Sequence, residues 1–309
     1  MDYRFTIVGA GEALFDIFPD HQTLGGAPVN AAVHAHQLSQ GRGGRGVVLS
    51  RVGQDELGEQ IIAELRQRGM NTDFVQTDPD RDTGRVYVEF DASGRHRFQI
   101  VENVAWDVIQ FDFDTEDLAQ RCDAVCFGTL AQRDAQSRNT IYRFLDTANR
   151  AVRLFDVNLR QNYYDARILS RSCERATIVK LNDEELPIVC ELLGLAGVGR
   201  GEVDEVDRKA QGLLKKFDLK MVAFTRGERG TVLHTSGGRH EGPAVSYRRA
   251  PNADPVGAGD ACAAAILVGT VLRFDVDRIA ALANHAGGYV ASQAGATPPL
   301  PQSILDMVK

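Results

Sequence analysis

Residues 254–267 read DPVGAGDACAAAIL, and this stretch places the carboxylate of Asp260 where a glycine-rich loop changes into an apolar, alanine-rich helix. The small residues Gly257, Ala258 and Gly259 allow backbone N–H groups to approach a ligand closely. The first turn of the helix adds unpaired donors and a partial positive charge, which suits chemistry on an anion. A structural interpretation stays open here, because Asp also favours the start of a buried helix that has no further role.

A second glycine-rich segment, GGAPVNAA, occupies residues 25–32. Together the two segments resemble the paired signatures of the PfkB (ribokinase-like) carbohydrate kinase family, and within it the bacterial fructokinases. The resemblance extends over nearly the whole chain, because further motifs follow in the order of the family: GEALFD (11–16), VGQDELG (52–58), DVNLR (156–160), KLNDEE (180–185) and TRGERG (225–230).

Length and composition limit the classes of protein to consider. The chain has 309 residues, of which 43% are hydrophobic, and it has no Pro/Ser-rich linker, so we predict a single domain over residues 1–309. A net charge of −7 gives no general electrostatic reason for binding nucleic acid or an anionic membrane. The N-terminal apolar run is too short for a signal peptide, and the stretch 261–272 is too short to cross a bilayer. We therefore predict a cytoplasmic protein with neither nucleic-acid nor membrane partners.

Apolar runs alternate with helical patterns along the chain. Strands are predicted at 5–8, 47–52, 124–127, 153–157, 177–181 and 221–225, and helices near 55–68, 136–149, 183–193 and 203–217. This alternation predicts an α/β fold with a doubly wound, mostly parallel sheet flanked by helices, and the resemblance implies that it is ribokinase-like.

One region departs from this alternation. Residues 84–90 and 95–101 alternate with period two around a turn and predict an antiparallel hairpin. The resemblance implies that the hairpin belongs to a small antiparallel β lid over the sugar, contributed by roughly residues 12–24 and 84–102. In many relatives such a lid also makes a dimer contact, so the resemblance implies a homodimer that forms through the lid. Phe98 and Ile100 are expected to pack within the hairpin rather than to touch the sugar.

Other nucleotide-binding motifs fit the sequence poorly. Gly9 and Gly11 follow a predicted strand, but Leu14 stands where a dinucleotide-binding loop needs its third glycine. The chain contains no Gly-Lys dipeptide, which excludes a Walker-type P-loop. A kinase with this sequence must therefore hold phosphate in another way.

The resemblance implies a mechanism of phosphoryl transfer from ATP. Asp260 matches the family's general base, which accepts the proton of a sugar hydroxyl as its oxygen attacks the γ-phosphate. The backbone N–H groups of Gly257, Ala258 and Gly259 match the anion hole that stabilises the transferring group.

Two sets of residues match sugar-binding positions of the family. The first set is Asp16, Gly26 and Asn30. The second set is Asp156, Asn158 and Arg160, which fall on alternate positions leaving a predicted strand, so that their side chains can converge on one face. An alternative for the second set is a structural ion pair between Asp156 and Arg160.

The cofactors implied by the resemblance are ATP, Mg²⁺ and a monovalent cation, K⁺. Asn182 and Glu185 match an element that holds Mg²⁺ through water; the residues alone indicate a helix N-cap and capping box, and both roles can coexist. The remaining matches are Thr225, Gly227 and Asn284 for the nucleotide, and Asp254, Val256 and Gly295 for the monovalent cation. Pro255 stands where threonine is common, which removes a backbone donor and a hydroxyl from the cation site.

The predicted function is that of an ATP-dependent sugar kinase, a phosphotransferase that acts on an alcohol group, with D-fructose as the favoured substrate and fructose 6-phosphate as the product. Two alternatives stay open. One is a kinase for 2-keto-3-deoxygluconate, a sugar acid whose carboxylate Arg95, His96 or Arg97 of the lid would pair with, or for another sugar or nucleoside. The other is a non-catalytic sugar-binding regulator, although an intact Asp260 argues against it.

Overall fold

The computed structural model describes residues 3–90, 96–195 and 204–309 of the chain. Its strands, numbered in chain order, are β1 (Phe5–Ala10), β2 (Leu14–Ile17), β3 (Gln22–Gly25), β4 (Gly44–Gly53), β5 (Val75–Asp78), β6 (Gly84–Phe90), β7 (His96–Ile100), β8 (Ala124–Phe127), β9 (Val152–Asp156), β10 (Ile178–Asn182), β11 (Met221–Thr225), β12 (Thr231–Thr235) and β13 (Gly238–Glu241). Its α-helices are α1 (Ala27–Ser39), α2 (Glu56–Gln67), α3 (Phe113–Arg121), α4 (Ala135–Thr147), α5 (Ala166–Arg175), α6 (Glu185–Leu192), α7 (Glu205–Phe217), α8 (Ala258–Val271), α9 (Val276–Val290) and α10 (Gln302–Asp306).

The main sheet has nine strands in the order β13-β12-β11-β10-β9-β8-β1-β4-β5. The strands from β5 to β11 are parallel, and β12 and β13 add to the edge in antiparallel fashion. The predicted doubly wound, mostly parallel sheet is thereby confirmed. The chain proceeds outward from β1 in both directions, so the gap between β1 and β8 is a topological switch point, where ligands bind at the carboxyl ends of strands in such folds.

Helices cover both faces of this sheet. One face packs mainly against α1, α8 and α9, and the other against α3 to α7. Helix α8 is buried continuously from Ala261 to Gly269, as expected for a helix that is apolar on all sides. Its alanines permit a close approach to α1 and α9, and this packing brings the start of α8 next to the start of α1.

Helix starts differ in a way that bears on function. Six helices of the described part begin after an aspartate whose carboxylate accepts a backbone N–H of the first turn. These residues are Asp55, Asp112, Asp134, Asp165, Asp204 and Asp275. Helices α1 and α8 instead begin after Gly26 and Gly257, at φ angles of 102° and 78°, without a side-chain cap.

The small sheet has the order β3-β2-β6-β7. Its two hairpins, β2–β3 and β6–β7, are antiparallel as predicted, and a parallel pairing of β2 with β6 joins them. Ile100 is buried and Phe98 is 53% exposed, and that both pack within the hairpin rather than touch the sugar stays a prediction. That the chain forms a single domain and that this sheet forms a homodimer contact both stay predictions.

Candidate active site

The predicted catalytic and sugar-binding segments meet at the carboxyl end of the main sheet. The amide Nδ2 of Asn30, in the first turns of α1, donates a hydrogen bond of 2.9 Å to Oδ2 of Asp260 at the start of α8. These two residues are 230 positions apart in the chain. The two glycine-started helices therefore converge on one point, with a carboxylate between them.

Asp260 is partly buried, and its surroundings make it a stronger base than an ordinary aspartate. Burial raises its pKa to about 6, with a further increase from the carboxylate of Asp156. The hydrogen bond from Asn30 and the charges of Lys180 and Arg160 oppose this increase. The group is consequently ionised at neutral pH and can still accept a proton.

The turn before Asp260 requires glycine at its first position. Gly257 has a left-handed φ, and a Cβ atom there would lie 2.1 Å from the carbonyl oxygen of Ala296. The N–H of Ala258 donates to the carbonyl of Pro255 at 3.2 Å, whereas the described residues provide no hydrogen bond to the N–H groups of Gly257 and Gly259. Two of the three predicted anion-hole donors are therefore available.

On the side predicted to bind the sugar, the absence of side chains at Gly25 and Gly26 allows residues 11–16 (GEALFD) to pack closely against them. A Cβ on Gly25 would lie 2.6 Å from the carboxylate of Asp16, and one on Gly26 would lie 2.2 Å from the backbone oxygen of Glu12. Burial raises the pKa of Asp16 to about 6, opposed by the charge of Arg160. Asp16, Gly26 and Asn30 thus lie on adjoining elements, and their contact with the sugar stays a prediction.

The second predicted sugar-binding set is arranged differently from the expectation. Strand β9 ends at Asp156, and Asn158 has a left-handed φ of 40°, so the alternation of side chains stops before it reaches Arg160. The ion pair also differs: both oxygens of Asp156 lie 2.9 Å from Nζ of Lys180, the residue opposite on β10, and the described residues show no ion pair between Asp156 and Arg160. Arg160 is exposed, and among the described residues it donates a hydrogen bond to the carbonyl of Leu159.

Lys180 is a residue that sequence reasoning did not assign. It is 6% exposed, and its Nζ lies 3.3 Å from the position that a Cβ on Gly259 would occupy. Burial alone would lower its pKa, but the carboxylate of Asp156 raises it, so the group stays positively charged next to the anion-hole turn. Its position in the KLNDEE motif was visible in the sequence, but its cross-strand partner was not.

The capping box predicted around α6 is present. Asn182 Oδ1 accepts the N–H groups of Glu184 and Glu185 at 2.9 Å, and Glu185 Oε2 accepts the N–H of Asn182 at 2.9 Å. The other carboxylate oxygen of Glu185 accepts the N–H of Leu159 at 2.9 Å. Burial raises the pKa of Glu185, followed by the charge of Asp156.

The residues predicted for the nucleotide lie near the sheet edge beyond β11. Thr225 Oγ1 donates to the carbonyl of Leu181 at 3.4 Å, and Gly227 has a left-handed φ and open space where a side chain would be. Asn284 is only 5% exposed; its Oδ1 accepts from Thr231 N at 2.7 Å, and its Nδ2 donates to Pro243 O at 2.9 Å. Both ends of the Asn284 amide are therefore already bonded.

The three residues predicted for a monovalent cation are connected through one carboxylate. Asp254 accepts the N–H of Val256 at 3.0 Å and the N–H of Gly295 at 3.1 Å. This arrangement holds the loop before α8 against the loop after α9. Of the lid residues considered for a substrate carboxylate, Arg95 lies outside the described residues, as do the side chains of His96 and Arg97.

Comparison with known proteins gives results that agree with this geometry. Residues 11–303 match the model of the pfkB family carbohydrate kinases. The fructokinase of Klebsiella pneumoniae is 29% identical over an alignment of 313 positions that covers 94% of each chain. None of the helices within the described ranges is long and apolar enough to cross a membrane.

Solved structures with the same fold include two complexes. An uncharacterised sugar kinase from Pyrococcus horikoshii in complex with ATP has a TM-score of 0.77 and 25% identity, covering 99% of this chain and all of the other. A double mutant of the fructokinase from Vibrio cholerae O395, with fructose, ADP and potassium bound, has a TM-score of 0.78 and 24% identity, covering all of both chains. Because the family match spans almost the whole chain, this protein belongs to the pfkB family of carbohydrate kinases and is a phosphotransferase that acts on a sugar hydroxyl.

Proposed function

We propose that the protein is an ATP-dependent fructokinase that transfers the γ-phosphate of ATP to the 6-hydroxyl of D-fructose, with Asp260 as the general base. The observation that carries the proposal is the hydrogen bond between Asn30 and Asp260, because it joins the sugar-side helix start to the phosphate-side helix start. Relatives that are 26–29% identical and named fructokinases support fructose as the sugar.

The carboxylate of Asp260 is suited to receive the proton of the sugar hydroxyl. Asn30 bonds to Oδ2, so we assign Oδ1 to the hydroxyl that attacks. A pKa of about 6 keeps the group ionised at neutral pH while it makes the group more basic than a surface aspartate. We expect kcat/KM to decrease as the pH falls through this value.

The turn that begins α8 would stabilise charge on the transferring group. The N–H groups of Gly257 and Gly259, which lack partners among the described residues, would donate to phosphate oxygens at the positive end of the helix. The ammonium of Lys180 lies next to Gly259 and adds a positive charge on the same side. Arg160, whose charge reaches both Asp16 and Asp260, would hold the sugar or the phosphate from the exposed side.

The residues fit a hydrated magnesium ion rather than one bound only by protein. Among the described residues, no group of three or more His, Cys, Asp or Glu side chains could hold a metal ion. Glu185 would hold Mg²⁺ through water, with Asn182 beside it, because this ion keeps several waters and takes phosphate oxygens as ligands. When bound, the ion supplies neutralisation of the phosphate charge during transfer.

Potassium is the second ion of the proposal. Asp254, Val256 and Gly295 would place carbonyl and carboxylate oxygens around it, next to the start of α8. The V. cholerae fructokinase structure has a potassium ion bound, which supports potassium as the cation of the proposal. Pro255 still offers its carbonyl oxygen, which accepts the N–H of Ala258.

The experiment that tests the proposal is coupled ADP release from Mg·ATP in potassium buffer, with separate samples of fructose, glucose, ribose, adenosine, 2-keto-3-deoxygluconate and fructose 6-phosphate. We expect fructose to give the highest kcat/KM. The Asp260→Asn variant should lose about 10²–10⁴ in kcat, the size of general-base catalysis, while it still binds the sugar. Higher kcat/KM on another substrate would replace fructose, and full activity of the variant would remove Asp260 as the base.

A further inference from the structure

His34 is a buried polar side chain that the mechanism above does not use. It lies on α1, about one helical turn after Asn30, and it is fully buried. Its Nε2 lies 2.9 Å from the carbonyl oxygen of Ala296, in the loop after α9. Its Nδ1 is buried without a hydrogen-bond partner among the described residues. Burying a polar atom without a partner costs free energy, so an imidazole at this position needs a reason beyond packing.

The hydrogen bond of His34 has a fixed direction. A carbonyl oxygen only accepts hydrogen bonds, so Nε2 carries the hydrogen and donates it to Ala296. Burial lowers the pKa of His34 to about 4, against the effect of this bond, and the charge of Arg68 adds to the decrease. The imidazole is therefore neutral near pH 7, and the bond does not change with pH in that range.

The carbonyl that His34 holds packs directly against the proposed anion-hole turn. A Cβ atom on Gly257 would lie 2.1 Å from the oxygen of Ala296 and 2.7 Å from its carbonyl carbon and its Cα. The neighbouring Gly295 donates its N–H to the carboxylate of Asp254 at 3.1 Å. The turn at Gly257 therefore lies against a backbone segment that two side chains, His34 and Asp254, hold in place.

Helix α1 thereby reaches the start of α8 at two points. Asn30 bonds directly to Asp260, and His34 holds the carbonyl of Ala296 that packs on Gly257. Because both side chains belong to one regular helix, the spacing between their backbone positions is fixed. The two contacts together set the position of the proposed base relative to the anion-hole turn. A misplacement of about 1 Å between reacting groups can cost on the order of 10²-fold in rate.

We propose that His34 is a positioning residue for phosphoryl transfer: through the carbonyl of Ala296 it fixes the turn at Gly257, and with it the N–H donors of the anion hole relative to Asp260. The inference rests on the proposed role of this turn. Because His34 acts through the backbone of Ala296, its loss should lower kcat and leave the KM for sugar close to that of the wild type.

Steady-state kinetics at saturating potassium test the proposal. His34→Leu removes the donor but keeps an apolar side chain of similar size, and we expect kcat to fall roughly tenfold to hundredfold. His34→Gln keeps an N–H donor on a side chain of comparable reach, so its kcat should stay close to that of the wild type. A kcat in His34→Gln as low as in His34→Leu would contradict the inference, because the donor and not the ring is proposed to matter.

Gln37→Met is the matched control. The side-chain oxygen of Gln37, also on α1, accepts the N–H of Leu300 at 2.7 Å and so holds the same loop four residues beyond Ala296. Gln37→Met should lower the unfolding temperature as His34→Leu does, but it should keep its kcat. Equal losses of kcat in the two variants would mean that any loosening of the loop has this effect, and the inference would be wrong.

Potassium provides a second way to contradict the proposal, because Gly295 of the same loop belongs to the proposed cation site. We expect the loss of kcat in His34→Leu to persist when potassium is saturating. A loss that disappears at saturating potassium would mean that His34 acts on cation binding instead of on the turn.

The position of the turn can also be followed without any substrate. In ¹H–¹⁵N spectra of the labelled protein, His34→Leu should shift the amide signals of Gly257, Ala258 and Gly259 much more than Gln37→Met does. Unchanged amide signals in His34→Leu would overturn the inference. If the wild-type protein transfers phosphate to none of the sugars, the proposed function is wrong, and these signals still decide whether His34 positions the turn.

Discussion

Two groups of helices in the described part of this protein begin in different ways. At α5, Oδ1 of Asp165 accepts the N–H of Ile168 at 2.7 Å, and five other helices have an equivalent aspartate. At α1 and α8, Gly26 and Gly257 provide no such acceptor. Glycine at an N-cap costs only roughly a few tenths of a kcal/mol relative to such an aspartate, so the two glycine starts give up little stability. At α8, the N–H groups of Gly257 and Gly259 have no partner among the described residues, and these are the donors proposed to meet the phosphate.

Helix α6 has features of both kinds. Asn182 and Glu185 cap its first turn in both directions, yet they are also the residues proposed for magnesium. The capping bonds occupy backbone donors and leave further lone pairs on the carboxylate. A stable helix start is therefore compatible with a metal held through water, whereas direct phosphate contact needs the free N–H groups found at α8.

The largest effect is expected from changing the glycine start of α8. Gly257→Ala should lower kcat by about 10²–10³, because the methyl group would meet the carbonyl of Ala296 and displace the anion-hole donors. Strain at a left-handed φ should also reduce the free energy of unfolding by roughly 1–2 kcal/mol. Steady-state kinetics and thermal unfolding measure the two effects.

Gly69→Ala is the matched control for this change. Gly69 has nearly the same φ, 77°, but lies after α2 with no atom closer than 3.8 Å to the added Cβ. Because of the strain at this φ, Gly69→Ala should also lower the free energy of unfolding, but its kcat should equal that of the wild type. Equal kcat values for the two variants would mean that the α8 turn does not contact the transferring group.

A smaller effect is expected on stability when the charge at the start of α8 is removed. The folded-state pKa of Asp260 is raised from 3.8 to about 6, so the wild-type protein loses stability as the pH rises through this window. Asp260→Asn should therefore be more stable than the wild type at pH 8, by on the order of 1–3 kcal/mol. The gain should shrink toward pH 4, where the wild-type carboxyl is protonated.

Thermal unfolding at several pH values tests this sign. Asp114→Asn, at an exposed carboxylate in the first turn of α3, is the control and should show no comparable gain at pH 8. A loss of stability in Asp260→Asn at pH 8 would show that the ionised carboxylate stabilises the fold, contrary to the expectation from its burial.

Much of the fold follows from local patterns. Strands such as β8 (Ala124–Phe127) and β11 (Met221–Thr225) are buried between two helical layers. Because both faces of such a strand are buried, its sequence is a short apolar run, which can be recognised locally. The β6–β7 hairpin was recognisable from its period of two. The parallel pairing of β2 with β6 was not, because it joins segments about 70 residues apart and leaves no local signature.

The site depends more on long-range contacts, and here the sequence was a weaker guide. The prediction that Asp156, Asn158 and Arg160 share one face assumed an extended chain beyond Asp156, but the left-handed φ of Asn158 ends the alternation of side chains. The partner of Asp156 is Lys180 because β9 and β10 are adjacent in the sheet, and strand order is a property of the whole fold. His34 follows a recognised motif, yet only its burial and its bond to Ala296 distinguish it from a surface histidine.

The smallest effect is expected at an aspartate cap, where function should not change at all. Asp165→Ala removes the acceptor for Ile168 N and should cost about 1 kcal/mol in unfolding free energy, whereas Asp165→Asn, which keeps a good cap, should cost much less. Asp165 is only five residues beyond Arg160, so these variants test strictly whether loss of a helix cap near the site changes turnover. We expect unchanged kcat and KM in both variants. A fall in kcat that follows the loss of the cap would mean that α5 positions Arg160, and the two kinds of helix start would then share one role.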